Sequence, residues 1–334
     1  MKSELDFLRR LRRRAARTAP GLTLGVGDDA AILNFAANAA LVVSSDLMAE
    51  DVHFRRRYFP PDALGHKILA VNLSDMAAMG AAPRFCLLSL ALPNDCADAF
   101  ADAFFDGFFA LADRHAVALV GGDTSRSAGG VFLDATVIGE TFGNEARRRS
   151  TARPGDAIYV SGRLGAAAAG FRLLEALADD EIARLAPAEA ECVTRHLRPE
   201  PRVALGRRLA RAGAVSAMMD VSDGLSLDLT RLCEASGVGA RIFAEWTPVS
   251  DGAHAVAARF NLRAQDLALN GGEDYELLFT VPPPMQIEVD RLVAEEDFVS
   301  VTRIGVVTEA SAGLTLVRDG EDVPLAPRGF DHFS

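Results

Sequence analysis

Apolar and polar positions change period several times along the chain, and each change marks an element. Leu5, Leu8 and Leu11, with Phe7, lie in an arginine-rich background and predict a basic amphipathic first helix. Gly25 to Leu33 breaks the pattern as a glycine and aspartate loop, and Ala39 to Ser44 has the length and valine content of a buried strand. Pro60-Pro61-Asp62 opens a helix that runs through Leu64, Ile68, Leu73 and Met76, and Gly80 with Pro83 ends it. A strand is expected over Phe85 to Leu92, an aromatic-rich helix over Asp95 to His115, a strand over Val117 to Val120 that stops at a glycine pair, and another over Val131 to Gly139. Arginines and turn residues then cluster from Asn144 to Asp156, which divides the chain into domains 1–145 and 146–334. Beyond that boundary the pattern predicts strands at Ala157 to Val160, Met218 to Asp220, Ala240 to Phe243, Tyr275 to Val281, Val299 to Val307 and Leu314 to Val317. Helices are expected at Leu164 to Ala178, Pro201 to Ala212 and Leu225 to Ser236. Strands and helices are mixed rather than strictly alternating, so the fold class is α+β.

Composition narrows the function. A chain of 334 residues with 49% apolar content supports two cores. A net charge of −11 argues against a nucleic-acid partner, which would bind against the overall field. Lys2 and Lys67 are the only lysines, so chemistry that needs a lysine nucleophile or a phosphate-loop lysine has almost nowhere to reside. Cys86, Cys96, Cys192 and Cys233 are widely spaced and fit buried thiols in a reducing compartment. Glu4 and Asp6 precede the arginines, no apolar signal core follows, and no run is long enough to span a membrane, so a cytoplasmic protein without a membrane partner is expected.

Four apolar runs end on small or polar residues and then an aspartate: Leu41 to Asp46, Leu69 to Asp75, Ala118 to Asp123 and Ala217 to Asp223. With Gly27-Asp28-Asp29 upstream, the recurrence reads as scattered carboxylates that buried elements deliver to a common rim. Carboxylates gathered without cations raise one another's pKa, so the set calls for a hard divalent ion, Mg²⁺ carrying phosphates.

Each motif also has a plainer reading. Gly25 to Ala31 alone is ordinary turn chemistry, and Ser44-Ser45-Asp46 alone is a strand end with a helix N-cap. Asn72 and Asp75 resist that treatment, because they share one face of an otherwise apolar helix where an unpaired carboxylate is costly. Gly121-Gly122-Asp123-Thr124 follows an apolar strand, and its glycines permit close backbone approach to a phosphate. Ser222 or Asp223 serves either as the N-cap of the helix striped by Leu225, Leu229, Leu232 and Cys233, or as a nucleotide or metal contact. Gly165 to Gly170 has phosphate-loop spacing, but Phe171-Arg172 stand where Lys-Ser or Lys-Thr is required, so close helix packing is expected there. Asn270 to Glu276 packs three acids beside two glycines before an apolar run, as a solvated turn or as a polar site at a strand entrance. His53 between Val52 and Phe54 reads on its own as a core histidine. The aromatic tail Gly329 to Phe333 either docks on the domain or lines a pocket.

In this order, Gly25 to Ala31, Ser45-Asp46 with Val52-His53-Phe54, Val71 to Gly80, Gly121 to Thr124, Asp220 to Gly224, Gly271 to Glu276 and Gly329 to Phe333 resemble the thiamine-monophosphate kinase family of the aminoimidazole ribonucleotide synthetase superfamily. The resemblance spans almost the whole chain. It implies an N-terminal mixed-sheet domain that dimerises and binds ATP and metal, and a C-terminal α/β sandwich-like domain that completes the nucleotide and substrate sites. The implied reaction is direct in-line transfer of the γ-phosphoryl group of ATP to thiamine monophosphate, giving thiamine diphosphate. Several Mg²⁺ ions serve it, with K⁺ as a further ion, in a homodimer. By matched position, Asp29, Ser44, Ser45, Asp46, Asp75, Asp123, Asp220 and Asp223 take metal roles, with Asp75 and Asp123 as the catalytic carboxylates. Gly122, Asp123, Arg149 and Ser222 would meet ATP, and His53, Glu273 and Phe330 would meet thiamine monophosphate. Three positions depart from the family pattern: Leu47 replaces a hydroxyl residue, Asp51 replaces a glycine, and Phe330 stands where Trp or Tyr is common.

The nearest alternative is another ATP-dependent synthetase of the same superfamily. A selenophosphate synthetase would carry a reactive cysteine or selenocysteine near its start, whereas the first cysteine here is Cys86. A carbamoyl-dehydrating maturation protein would end in cysteine, whereas this sequence ends His332-Phe333-Ser334. A non-catalytic nucleotide- or divalent-metal-binding module would not need His53, Glu273 and Phe330 around a second pocket.

Overall fold

The computed structural model describes residues 4–16, 18–26, 30–96, 98–143, 146–294 and 299–329, without the side chains of residues 4–9. Asp29 and Phe330 therefore lie outside the described residues. The chain forms two compact units, Met1–Met76 with Ala81–Glu145, and Ala77–Gly80 with Ala146–Ser334.

The first unit contains α1 (Glu4–Ala15), β1 (Leu22–Leu24), β2 (Ile32–Leu33), β3 (Leu41–Ala49), α2 (Pro61–Ala78), β4 (Ala82–Leu92), α3 (Asp98–Arg114), β5 (Ala118–Arg126) and β6 (Phe132–Glu140). Among the described residues, β1 and β2 pair with each other, and a mixed sheet has the order β3-β6-β4-β5, in which only β4 and β5 run parallel. Along β6, Leu133, Ala135 and Val137 are buried while Phe132, Asp134 and Thr136 are more open, the alternation of a strand covered chiefly on one face. Helix α2 is largely apolar because most of its circumference is buried, with Leu64, Ile68, Leu69, Leu73 and Met76 fully enclosed. Lys67 is enclosed too, its Nζ 5.4 Å from the Phe59 ring centre. Two glycines let α2 and α3 touch backbone to backbone: a Cβ on Gly65 would stand 1.9 Å from the Phe104 carbonyl oxygen, and one on Gly107 1.7 Å from that of Asp62.

Two strands differ from the sequence expectation. β3 continues to Ala49 and is not buried on both faces: Leu41, Val43 and Leu47 are 54%, 57% and 55% exposed, on a face of the sheet that Phe132 of the interior strand β6 shares and where it is exposed as well. The pair Gly121-Gly122 and Asp123 lie inside β5 rather than after it. The register against β4 jumps from Cys86↔Leu119 to Leu87↔Gly121, so Val120 is a bulge that lets pairing continue to Arg126.

The second unit contains β7 (Ala157–Ser161), α4 (Ala166–Ala176), α5 (Asp179–Ile182), α6 (Pro187–Leu197), α7 (Val203–Arg211), β8 (Ala217–Val221), α8 (Leu225–Ser236), β9 (Gly239–Phe243), α9 (Asp251–Phe260), α10 (Ala264–Asn270), β10 (Glu276–Val281), α11 (Gln286–Ala294), β11 (Val301–Thr308), β12 (Leu314–Arg318) and β13 (Glu321–Pro324). Among the described residues its sheet has the order β13-β12-β9-β11-β7-β10-β8, antiparallel except for β9 with β12. Every position of β7, β8 and β10 is buried, which is why they read as nearly continuous apolar runs, interrupted by Asp220 in β8 and by Glu276 and Thr280 in β10. Close helix packing accounts for the Gly165 to Gly170 spacing: a Cβ on Gly170 would stand 2.1 Å from the Cys192 carbonyl oxygen on α6.

Candidate functional site

In the first unit, strand alternation turns Val42, Ser44, Asp46 and Met48 to one face of β3 and Ser45 and Leu47 to the other. On the first face the Ser44 hydroxyl donates to Asp75 Oδ2, so the helix aspartate and the middle of the strand meet directly. Burial foremost, then the charge and hydrogen bond of Asp75, then the charge of Asp134, push the Asp46 carboxyl up to about 7. Asp46 Oδ2 is itself buried without a hydrogen-bond partner. One turn before Asp75, fully buried Asn72 donates Nδ2 to the Ile68 carbonyl at 3.1 Å, while its Oδ1 has no partner.

Asp123 belongs to the other face. Register places Leu47, Asp134, Ser89 and Asp123 in one row across β3, β6, β4 and β5. Near it Ser45 Oγ lies 2.9 Å from Thr136 Oγ1 and 3.4 Å from Asp134 Oδ2. Asp123 is exposed and accepts the Thr124 amide at 2.8 Å, and Gly122, at φ 140°, lies against the β4 backbone where a Cβ would stand 1.9 Å from the Leu88 oxygen. The structure thus joins Ser44, Asp46 and Asp75 and sets Asp123 beside Ser89 in a different row. Among the described residues no three His, Cys, Asp or Glu side chains are disposed as a metal site. After β3, the His53 ring Nδ1 accepts the Ala49 amide at 3.0 Å, which in the neutral ring leaves the proton on Nε2.

In the second unit the segment from β8 to α8 holds Asp220, Ser222 and Asp223. Asp220 is buried at the end of β8, opposite Leu277. Neither Ser222 nor Asp223 is the N-cap of α8; that position is Gly224, and the capping carboxylate is Asp228 from inside the helix. Asp228 Oδ2 accepts the amides of Ser222, Asp223 and Gly224 at 3.0, 3.0 and 3.1 Å, and Arg231 reaches both Asp228 and Asp223. Burial pushes the Asp228 carboxyl up to about 6 against these bonds, which favour its charge.

The Gly271 to Glu276 segment is laced to that loop. The amides of Glu273 and Tyr275 donate to the carbonyls of Ser222 and Val221 at 2.7 and 2.9 Å, and both residues adopt left-handed backbone, φ 66° and 50°. Glu273 Oε2 lies 2.9 Å from Nδ1 of buried His196. Asp274 accepts the amides of Gly165 and Ala167 at the start of α4, at 2.7 and 3.2 Å, and burial pushes it up to about 7. Glu276 is buried in a two-pronged pair with Arg202 and accepts the Ser161 hydroxyl at 2.6 Å. Arg149 is exposed, its carbonyl taking the Ser236 hydroxyl at 2.8 Å. Of the tail Gly329 to Phe333 only Gly329 is among the described residues, and a Cβ there would stand 2.5 Å from the Asp223 carbonyl oxygen.

Residues 27–141 match the family model of the AIR synthase related protein, N-terminal domain, and residues 153–316 match its C-terminal domain. The thiamine-monophosphate kinase of Escherichia coli (strain K12) is 39% identical over 99% of this chain and 98% of its own, and that of Bacillus subtilis (strain 168) is 36% identical over 93% of each. The chain belongs to the thiamine-monophosphate kinase family. Among solved structures, the thiamine-monophosphate kinase of Stenotrophomonas maltophilia K279a is 41% identical with a TM-score of 0.83, covering 96% of this chain and 98% of its own. AaThiL complexed with AMPPCP and TMP is 31% identical with a TM-score of 0.78, covering 99% of this chain and 97% of its own. The E. coli hydrogenase maturation protein HypE, 21% identical with a TM-score of 0.79, shares the fold.

Sequence reasoning about this thiamine-monophosphate kinase family member missed Asp134, Asp228, Arg202 and His196. Asp228 was there to find: it sits between Leu225 and Leu229 in an apolar stripe, the same signal that singles out Asp75. Asp134 falls on the polar beat of β6 and reads as a solvated residue.

Proposed function

We propose that this protein transfers the γ-phosphoryl group of ATP to the phosphate of thiamine monophosphate, producing thiamine diphosphate and ADP. The observation that carries this reading is nearly full-length similarity to thiamine-monophosphate kinases, one of which was solved with AMPPCP, a non-hydrolysable ATP analogue, and TMP. The acceptor oxygen belongs to a phosphate that is ionised at neutral pH, so no general base is required. The chain's task is to align two anions and offset their repulsion.

The residues assigned to Mg²⁺ are Ser44, Ser45, Asp46, Asp75, Asp123, Asp220 and Asp223, with Asp29. Two features favour them: the donors are all oxygen, as a hard ion requires, and Asp46 Oδ2 is buried without a partner. Bound there, Mg²⁺ would neutralise charge between donor and acceptor phosphates. Asp46 would surrender its proton as the ion takes that place. Gly122 and Ser222 are assigned to ATP through their backbones, and Arg149 through its exposed guanidinium. His53 would offer Nε2–H to thiamine monophosphate, Glu273 a carboxylate suited to the cationic thiazolium, and Phe330 a ring face. K⁺ is a further ion of this reading, without an assigned residue. Residues 1–145 would carry dimerisation and the nucleotide, and 146–334 would complete both sites. Four buried, unpaired cysteines support a reducing, cytoplasmic setting. No helix among the described residues is long and apolar enough to cross a membrane.

The test is release of ADP with thiamine monophosphate present but not without it. Asp75→Asn and Asp123→Asn are expected to lower kcat by orders of magnitude with unchanged circular dichroism. Near-normal turnover of both at saturating Mg²⁺ would remove the carboxylate assignment.

A further inference from the structure

Ser226 lies in the first turn of α8 and is fully buried. A serine inside a helix ordinarily bonds back to its own helix or faces water. Here its hydroxyl lies 2.9 Å from Asn270 Oδ1 and 2.8 Å from the Arg328 carbonyl oxygen, and it accepts the Arg328 amide at 3.1 Å. One side chain therefore joins three segments: the start of α8, the residue that leads into Gly271 to Glu273, and the tail that leads into Phe330. Beside it the tail has room for a glycine alone, since a Cβ on Gly329 would press the Asp223 carbonyl and approach Leu227 Cδ2 to 2.8 Å.

We infer that Ser226 is a positioning residue, a latch that fixes the tail and the Glu273 segment against each other and so sets the thiamine-monophosphate pocket. The inference rests on the reading that Glu273 and Phe330 meet that substrate. Ser226 acts through other residues and takes no part in the chemistry. An unlatched tail would have to be ordered by the substrate itself, which weakens binding of thiamine monophosphate and leaves the chemical step and ATP binding as they are.

Ser226→Ala is therefore expected to raise KM for thiamine monophosphate about tenfold, the loss of one to two hydrogen bonds, with KM for ATP and kcat changed less than about twofold. Gly329→Ala, on the exposed tail, is expected to raise the same constant and needs no change in the core, so it serves if the buried substitution impairs folding. Both are then combined with removal of residues 330–334. A latch acting through the tail predicts that truncation raises KM and that Ser226→Ala adds nothing further in the truncated chain. Additive effects, or equal rises in both KM values, would overturn the latch while leaving the substrate reading intact. Truncation without effect on KM for thiamine monophosphate would overturn the role given to Phe330 and the latch with it.

Discussion

Asp46 meets Asp75 where the middle of β3 touches a buried helix, and it keeps its proton up to about pH 7 instead of the ordinary 3.8. Between those values the folded protein binds more protons at this group than the unfolded chain, so its contribution to stability falls as pH rises. In metal-free buffer Asp46→Asn is expected to raise Tm most at pH 8, with the gap to the native protein closing towards pH 5. A gap that is equal at both pH values, measured by scanning calorimetry, would show that Asp46 carries no such proton. What a sequence shows at this scale is a residue in the wrong company. Asp75 is legible because its helical neighbours are apolar, and Asp228 is legible for the same reason. Asp134 and His196 are not, because one sits on the polar beat of a strand and the other looks like the basic end of an ordinary helix. Their importance comes from what other segments bring to them.

Elements that are buried on all or most sides leave the plainest trace. α2, β7, β8 and β10 are readable as apolar runs of the right length. α6 and α9 are not anticipated by the pattern, because their buried faces are built from small or polar residues, Cys192 and His196 on α6 and Ala253, Val256 and Ala257 on α9, and Cys192, Ala253 and Val256 pack with Ala166, Ala169 and Leu173 of α4. The bulge in β5 was equally hidden, because it is a property of the register between two strands and neither strand alone encodes it. Contact between α2 and α3 belongs to this scale as well. Gly107→Ala places a methyl group against the Asp62 carbonyl, and forcing the helices apart is expected to cost about 1–3 kcal/mol or more. Urea unfolding would read this as a lower midpoint at constant slope, and an unchanged midpoint would mean that the helices separate freely.

At the scale of the molecule, the open face of β3 is the feature that a single chain leaves unexplained. Leu41, Val43 and Leu47 point the same way on an edge strand, with Phe132 of β6 also exposed, and exposed apolar edges invite pairing with another chain. A homodimer built on the first unit would cover them. For the proposed homodimer, Val43→Glu is expected to shift sedimentation velocity at micromolar concentration from dimer to monomer; a dimer that persists would place the interface elsewhere, and a native protein that sediments as a monomer would remove it. A different tension lies in the second unit, where Glu273 and Tyr275 hold a backbone shape that glycine adopts freely and other residues adopt at a cost of about 1 kcal/mol or more. Selection for heat resistance alone would therefore drift towards glycine at position 273 and discard the carboxylate that faces His196. Lineages of this protein that must grow hotter and still turn over substrate have to find their stability elsewhere in the chain, and leave this stretch strained.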